Sequence, residues 1–296
     1  MPPFPIVLAH GIARFDFLTE KVENKLGLPE SVLSDQLEYF KGIKSHLEAH
    51  GFTVSHPNQS FSGSVDLRAQ QLRDRVNTVI STTGSPKVHI IGHSMGGLDA
   101  RHMIVDHGMA ERVATLTTIG TPHHGSPVAD HIKNKPGGKL LLKVLSQVLN
   151  LDIDGLDDLT TDVCEAFNRR AEDAEARNPV KYQTYCAFED VSDVFLPLMA
   201  SWVIVNKKEG PNDGLVSVQS QQWAKELITS DGTRNPIAQH QFPFGADHLN
   251  EVGWWDSEEI INPIFGGANV LKQKLDYEKK VRDLYLAIAQ GVAEVS

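Results

Sequence analysis

The sequence predicts an α/β fold, a mostly parallel central sheet flanked by helices, with a helical insertion lying over it. Three observations predict it. Strand-like apolar runs alternate with stretches of helical period through the first 120 residues. That alternation breaks between Gly125 and Pro179, where helical, charged and loop-like sequence takes over. Strand signals then return ahead of a long C-terminal helix. With 296 residues and 41% apolar content, the chain can bury a full core and reads as one domain, 1–296, carrying the insertion 125–180 within it.

Taken in order, Pro5 to His10 reads as a buried strand. Ser31 to His50 places Val32, Leu33, Leu37, Phe40, Ile43 and Leu47 at a spacing near 3.6, which predicts a helix stopped by Gly51. Phe52 to Ser55 is a short strand, Val65 to Ile80 a helix, Lys87 to Ile91 a strand, Met95 to His107 a helix and Val113 to Ile119 a strand. Beyond the insertion, Lys181 to Ala187 and Trp202 to Val205 are predicted strands, His240 to Phe244 is a further candidate, and Ala268 to Gln290 closes the fold as a helix. The chain contains no internal repeat and no low-complexity tail.

Composition removes several function classes. Lys plus Arg (28) against Asp plus Glu (38) gives a net charge of −10 with no long basic run, which argues against nucleic acid and against charge-driven docking on anionic lipid. Any lipid contact must be hydrophobic. No stretch of eighteen apolar residues offers a membrane span. The strand at Ile6 starts so close to Met1 that no cleaved leader is expected ahead of it, which suits a cytoplasmic or leaderless secreted protein. Cys164 and Cys186 are the only cysteines and are expected to stay reduced, since a core of this size needs no bridge.

Chemistry enters at Val88 to Gly96, VHIIGHSMG, a buried strand running into Gly92-His93-Ser94-Met95-Gly96 and then a helix. A GxSxG pattern in that context is the nucleophile elbow of the α/β-hydrolase fold, with the serine at a sharp turn and small residues on either side to avoid clashes. Ser94 is the candidate nucleophile. Its place at a helix start directs backbone N–H groups toward a developing oxyanion, and Met95 supplies one of them. A second donor is expected from a loop after the first strand, where His10-Gly11-Ile12 lies, with the Ile12 N–H as candidate.

A serine hydroxyl needs a base, and in this fold acid and then histidine follow the serine along the chain. Of thirteen histidines, seven follow Ser94, and only His240 and His248 follow Asp213. His248 stands in a loop-like stretch, Gly245 to Asn250, whereas His240 falls within a strand-like run and reads as structural. Two aspartates compete for the acid. Asp213 sits in the tight turn Asn212-Asp213-Gly214 and Asp190 follows the strand ending near Ala187, and the residues alone do not choose between them.

Together these segments resemble the bacterial true lipases, the triacylglycerol lipases of the Pseudomonas, Burkholderia and Proteus group, over most of the chain. Five blocks carry the likeness: Pro5 to Gly11, Gly92 to Gly97, Gly120 to Ser126, Asn212 to Ser217 and Asp247 to Val252. The resemblance implies a Ser94–His248–Asp213 triad, Ile12 and Met95 as oxyanion donors, ester hydrolysis through an acyl-enzyme, and no cofactor for the chemistry. It also implies a structural calcium site, whose two family aspartates fall on Asp190 and on Asn250, so one negative charge is lost here. A family disulfide has its second cysteine just after the NDG block, where this chain has Gln219 and Ser220.

Within the insertion, Lys139 to Leu149 puts Leu141, Leu145, Val148 and Leu149 along one helical stripe. In the group it resembles, the corresponding segment is a mobile lid over the acyl pocket, which implies a lipid or other ester substrate met at a lipid–water interface. A short-chain carboxylesterase, a phospholipase or an acyltransferase of the same fold keeps the triad but differs in substrate.

Overall fold

The computed structural model describes residues 3–12, 39–56, 63–149, 155–254 and 263–295. Its centre is a seven-stranded sheet in the order β2-β1-β3-β4-β5-β7-β6. The strands are β1 (Ile6–Ala9), β2 (Val54–Ser55), β3 (Val88–His93), β4 (Val113–Ile119), β5 (Lys181–Cys186), β6 (Glu226–Ile228) and β7 (Arg234–Gln241). All pairings are parallel except the β6–β7 hairpin at one edge. The central strands β1, β3 and β4 are buried on both faces, which is why β1 reads as an unbroken apolar run and β3 and β4 lack a strict apolar–polar alternation.

Helices cross between the strands: α1 (Ile43–Ala49), α2 (Val65–Thr83), α3 (Met95–Asp106), α4 (Pro127–Asn134), α5 (Gly138–Leu149), α6 (Thr161–Arg177), α7 (Met199–Glu209), α8 (Val218–Gln221) and α9 (Pro263–Ala293). Two cores sandwich the sheet. One gathers Ile6, Leu8, Phe40 and Ile43 with Tyr285 and Ile288 of α9, and the other gathers Val7, Ile90 and Leu116 with Leu72 and Val76 of α2. A smaller cluster joins Ile12 and Met95 to Ala129, Leu156 and Leu159 and so packs the insertion onto the end of the sheet where the strands finish.

The predicted elements of the first half match except the helix expected over Ser31 to His50: it is helical only as α1, because residues 39–42 form a bend and a turn with Gly42 at φ 63°, and Val32, Leu33 and Leu37 lie outside the described residues. Two further expectations are corrected. Trp202 to Val205 is not a strand but the middle of α7, where Ser201 and Val205, four residues apart, face the core and the run continues helically through Asn206 to Glu209. Four apolar residues carry too little period to separate the two conformations. The strand expected at His240 to Phe244 is β7, which starts six residues earlier at Arg234 and ends at Gln241. Only Asn235 and Ile237 of β7 are buried, so its polar sequence hides it, and the three-residue β6 beside it leaves no signal either.

Candidate active site

The turn after β3 places Ser94 at φ 55°, ψ −133°, a conformation that side-chain-bearing residues avoid. Close packing forces the bend. A Cβ on Gly96 would fall 2.3 Å from the Ala9 carbonyl oxygen, and one on Gly92 would fall 2.8 Å from the Gly97 backbone, so neither position accepts a side chain. The Ser94 N–H donates to the Ile119 carbonyl at 2.9 Å, and the Thr121 hydroxyl donates to the Ser94 carbonyl at 2.9 Å, which fixes the bend from the neighbouring strand.

The Ser94 hydroxyl donates to His248 Nε2 at 2.8 Å, and His248 Nδ1–H donates to Asp213 Oδ2 at 2.8 Å. The fold brings together His248, the histidine the sequence favoured over His240, and Asp213, one of the two aspartates the residues alone left open. His240 sits in β7, stacked on Tyr185 at 4.6 Å, and Asp190 is exposed on the loop after β5. Asp213 is fully buried and saturated: Oδ1 accepts the Leu215 and Val216 N–H groups at 2.8 and 2.7 Å, and Oδ2 also accepts Gln221 Nε2–H at 3.2 Å. The Asp213 carbonyl receives the His248 backbone N–H at 2.8 Å, so acid and base are tied through main chain as well as side chain.

Several residues to which the sequence assigned no role complete the arrangement. Asp247 closes the turn that carries His248, its carboxylate accepting the N–H groups of Leu249, Asn250 and Phe195, all at 2.9 Å; burial pushes its pKa up to about 6 despite those bonds. Arg68 lies on the buried face of α2, donates to Asp99 at 2.7 Å and to the His10 carbonyl at 2.6 Å, and so holds the His10–Gly11 loop. Burial pushes the Asp99 carboxyl up to about 6 even beside Arg68. The signal for Arg68 is a charged residue on an apolar helical face, which must find a partner when buried.

A further group lies against the imidazole. Tyr39 Oη is 2.7 Å from His93 Nδ1, His93 Nε2 is 2.9 Å from Glu251 Oε2, and that oxygen is 3.8 Å from His248 Nδ1. Burial, with Asp213 and Asp247 nearby, raises the Glu251 pKa well above the usual carboxylate range. Burial likewise lowers the His93 pKa well below its ordinary value and raises that of the Tyr39 phenol, which keeps both side chains neutral.

Ser94 and His248 open into an apolar cleft enclosing about 640 Å³, solvent-open space included, with Ile12, Val128, Ile132, Leu145, Leu215 and Leu249 among its walls. Gly11 is packed directly on the serine, since a Cβ there would stand 2.9 Å from Ser94 Cβ. Ile12 is buried beside it, and Met95 is the first residue of α3, so its N–H is one of those that no carbonyl within the helix accepts.

Asp190 is exposed, and the Asn250 side chain is engaged in the turn that carries His248. Asn250 Nδ2–H donates to the Trp254 carbonyl at 2.7 Å and Oδ1 accepts the Asp247 N–H at 3.3 Å, so the amide is already part of the His248 turn. Two side-chain oxygens are fewer than the six to eight that calcium takes, so backbone carbonyls and waters would have to supply the rest of any such site. Cys164 and Cys186 are buried free thiols, that of Cys164 pushed up to about 12 by burial. Among the described residues no helix is long and apolar enough to cross a membrane.

Residues 10–136 match the model of the PGAP1-like alpha/beta domain family. The chain is 30% identical over 289 positions to a triacylglycerol lipase of Pseudarthrobacter phenanthrenivorans, covering 77% of this chain and 85% of that one. It is 28% identical over 324 positions to triacylglycerol lipase 2 of Saccharomyces cerevisiae, covering 99% and 92%. In fold it is similar to the mature lipase BlEst2 of Bacillus licheniformis, with a TM-score of 0.60 and 18% identity over 89% of this chain and 92% of that one. It is also similar to a metagenomic carboxyl esterase, MGS0156, with a TM-score of 0.62 and 19% identity over 99% and 76%.

Proposed function

The chain belongs to the triacylglycerol lipase family, as a lipase-type serine ester hydrolase of the α/β-hydrolase fold, and from that premise we propose that Ser94, His248 and Asp213 are its catalytic triad. The observation that carries the reading is the unbroken chain Ser94 Oγ, His248 and Asp213 at 2.8 Å per link, opening into an apolar cleft.

Ser94 attacks the ester carbonyl carbon while His248 Nε2 takes the hydroxyl proton, and the Ile12 and Met95 N–H groups receive the oxyanion. Collapse breaks the bond to the alkoxide oxygen, which leaves with the proton from His248. Water, deprotonated in turn by His248, then attacks the acyl-enzyme and returns Ser94 to its resting form. Asp213 holds the ring with its proton on Nδ1 and stabilises the imidazolium.

Acyl chains lie in the cleft, and within the insertion 125–180 we assign the lid to α4 and α5, which supply Val128, Ile132 and Leu145 to its wall. The helix α6 is the fixed base of that insertion. The Arg101 side chain of α3 is bidentate to Glu175 of α6 at 2.8 and 2.9 Å, and both side chains are fully buried. On α5, Leu141 and Leu145 face inward as the stripe predicts, while Leu140 is 68% exposed; the side chains of Val148 and Leu149 lie outside the described residues. The helix packs against the turn Leu196–Leu198, whose Leu196 is 62% exposed, and this shared apolar rim fits a lipid–water interface.

The test is hydrolysis of an emulsified long-chain triglyceride beside soluble butyrate esters, each with and without chelator. The rate on triglyceride is expected to rise sharply once substrate exceeds its solubility, with less than a twofold chelator effect, because the His248 turn is closed by protein bonds alone. Activity confined to dissolved short esters identifies a carboxylesterase instead. Loss of activity with chelator shows a cation requirement, with Asp190 and Asn250 the side chains to substitute next.

A further inference from the structure

Beside the Ser94–His248–Asp213 chain runs a second one of the same chemical make-up: a hydroxyl, an imidazole and a carboxylate, in Tyr39, His93 and Glu251. Its links are 2.7 and 2.9 Å, and the two imidazoles lie with ring centroids 4.7 Å apart. All three side chains are buried, and His93 occupies the position next to the nucleophile, so the two chains share one rigid bend. The backbone under Tyr39 is tied to the His248 turn, since Trp254 Nε1–H donates to the Tyr39 carbonyl at 3.1 Å and the Lys41 N–H donates to the Val252 carbonyl at 3.0 Å.

The second chain ends on Gly11. A Cβ built there would stand 2.7 Å from Tyr39 Oη and 3.1 Å from Ser94 Oγ, so the phenol oxygen packs directly against the Gly11 backbone. The phenol is therefore wedged between the imidazole next to the nucleophile and the backbone of the loop that approaches it. A neutral imidazole between an acid and a phenol has two proton arrangements, with the ring proton on Nε2 or on Nδ1. In both, the phenol oxygen stays bonded to His93 Nδ1, as donor in the first and as acceptor in the second, and so stays against Gly11. The anchor does not depend on which arrangement holds.

We infer that Tyr39 is a positioning residue for ester cleavage, its hydroxyl held by His93 and Glu251 so that it pins the Gly11–Ile12 backbone where the Ile12 N–H meets the oxyanion. The inference rests on the proposed triad and oxyanion donors. It extends the reaction machinery to a residue 55 positions from the serine in sequence. Arg68 holds the carbonyl of the His10–Gly11 peptide, so Tyr39 and Arg68 bear on the same peptide group, the one that precedes the Ile12 N–H.

Tyr39→Phe tests it. The ring keeps its packing on Phe40 and His10, with centroids 5.2 and 5.4 Å away, so the variant is expected to fold. Its kcat on p-nitrophenyl butyrate should fall about tenfold, less than the loss on removing an oxyanion donor itself, with KM within about twofold. Inhibition by an arylboronic acid, whose serine adduct presents a tetrahedral oxyanion, should weaken by the same factor as kcat. A kcat within about twofold of the parent, or unchanged boronate inhibition, overturns the inference. Coupling supplies a second arm: Glu251→Gln should cost less in the Tyr39→Phe background than in the parent, and equal costs in both contradict a relay. Turnover retained by Ser94→Ala would sink the triad itself, whereas a dead Ser94→Ala beside a fully active Tyr39→Phe overturns the Tyr39 inference alone.

Discussion

Ser94→Ala is expected to lower kcat for p-nitrophenyl ester cleavage by about 10⁶-fold, the scale on which a serine hydrolase loses its nucleophile. The loss is chemical rather than structural. Alanine keeps the Cβ that packs against Gly11, and the backbone bonds to Ile119, Gly97 and Thr121 do not involve the hydroxyl. The strain of a positive φ at this position, about 1–3 kcal/mol, is common to serine and alanine, so the thermal midpoint should stay within a few degrees. Measurement of turnover and melting on the same preparation checks both halves.

Asp213→Asn is expected to lower kcat by about 10⁴-fold with the fold retained. The direction follows from where the carboxylate bonds go. Oδ1 accepts the N–H groups of Leu215 and Val216, so an asparagine must place its oxygen there and its amide nitrogen toward His248. That nitrogen donates to Nδ1, which forces the ring proton onto Nε2, and Nε2 then faces the Ser94 hydroxyl as a donor instead of an acceptor. The base is lost without removing an atom from the imidazole. The new amide also confronts the Gln221 side-chain N–H that Oδ2 accepts, so a modest drop in melting temperature should accompany the kinetic loss. A kcat within tenfold of the parent would remove Asp213 from the proposed role.

How much of this was legible in the sequence depended on whether the requirement was local. The elbow was legible because strand, serine and close-packed glycines must be contiguous, and Gly92 and Gly96 leave no room for another residue. Asp213 was not legible from its turn alone, because an Asn-Asp-Gly turn serves many structures equally well; the resemblance singled it out. Arg68, Tyr39 and Glu251 escaped because their partners lie far along the chain: Arg68 reaches back 58 residues to His10, and Glu251 reaches back 158 to His93. Hydrophobic period records which face is buried, not which polar groups meet inside. The same limit explains α7, where Trp202 to Val205 fits either period, and β7, whose exposed residues are mostly polar one strand in from the sheet edge.

Ester cleavage at this site requires that Ser94 be the residue that takes the acyl group. Reaction with a fluorophosphonate, followed by peptide mass mapping, reads this directly. One adduct per chain, located on Ser94 and absent from Ser94→Ala, is the result expected. A folded, active protein labelled at another residue, or left unlabelled at Ser94, would contradict it.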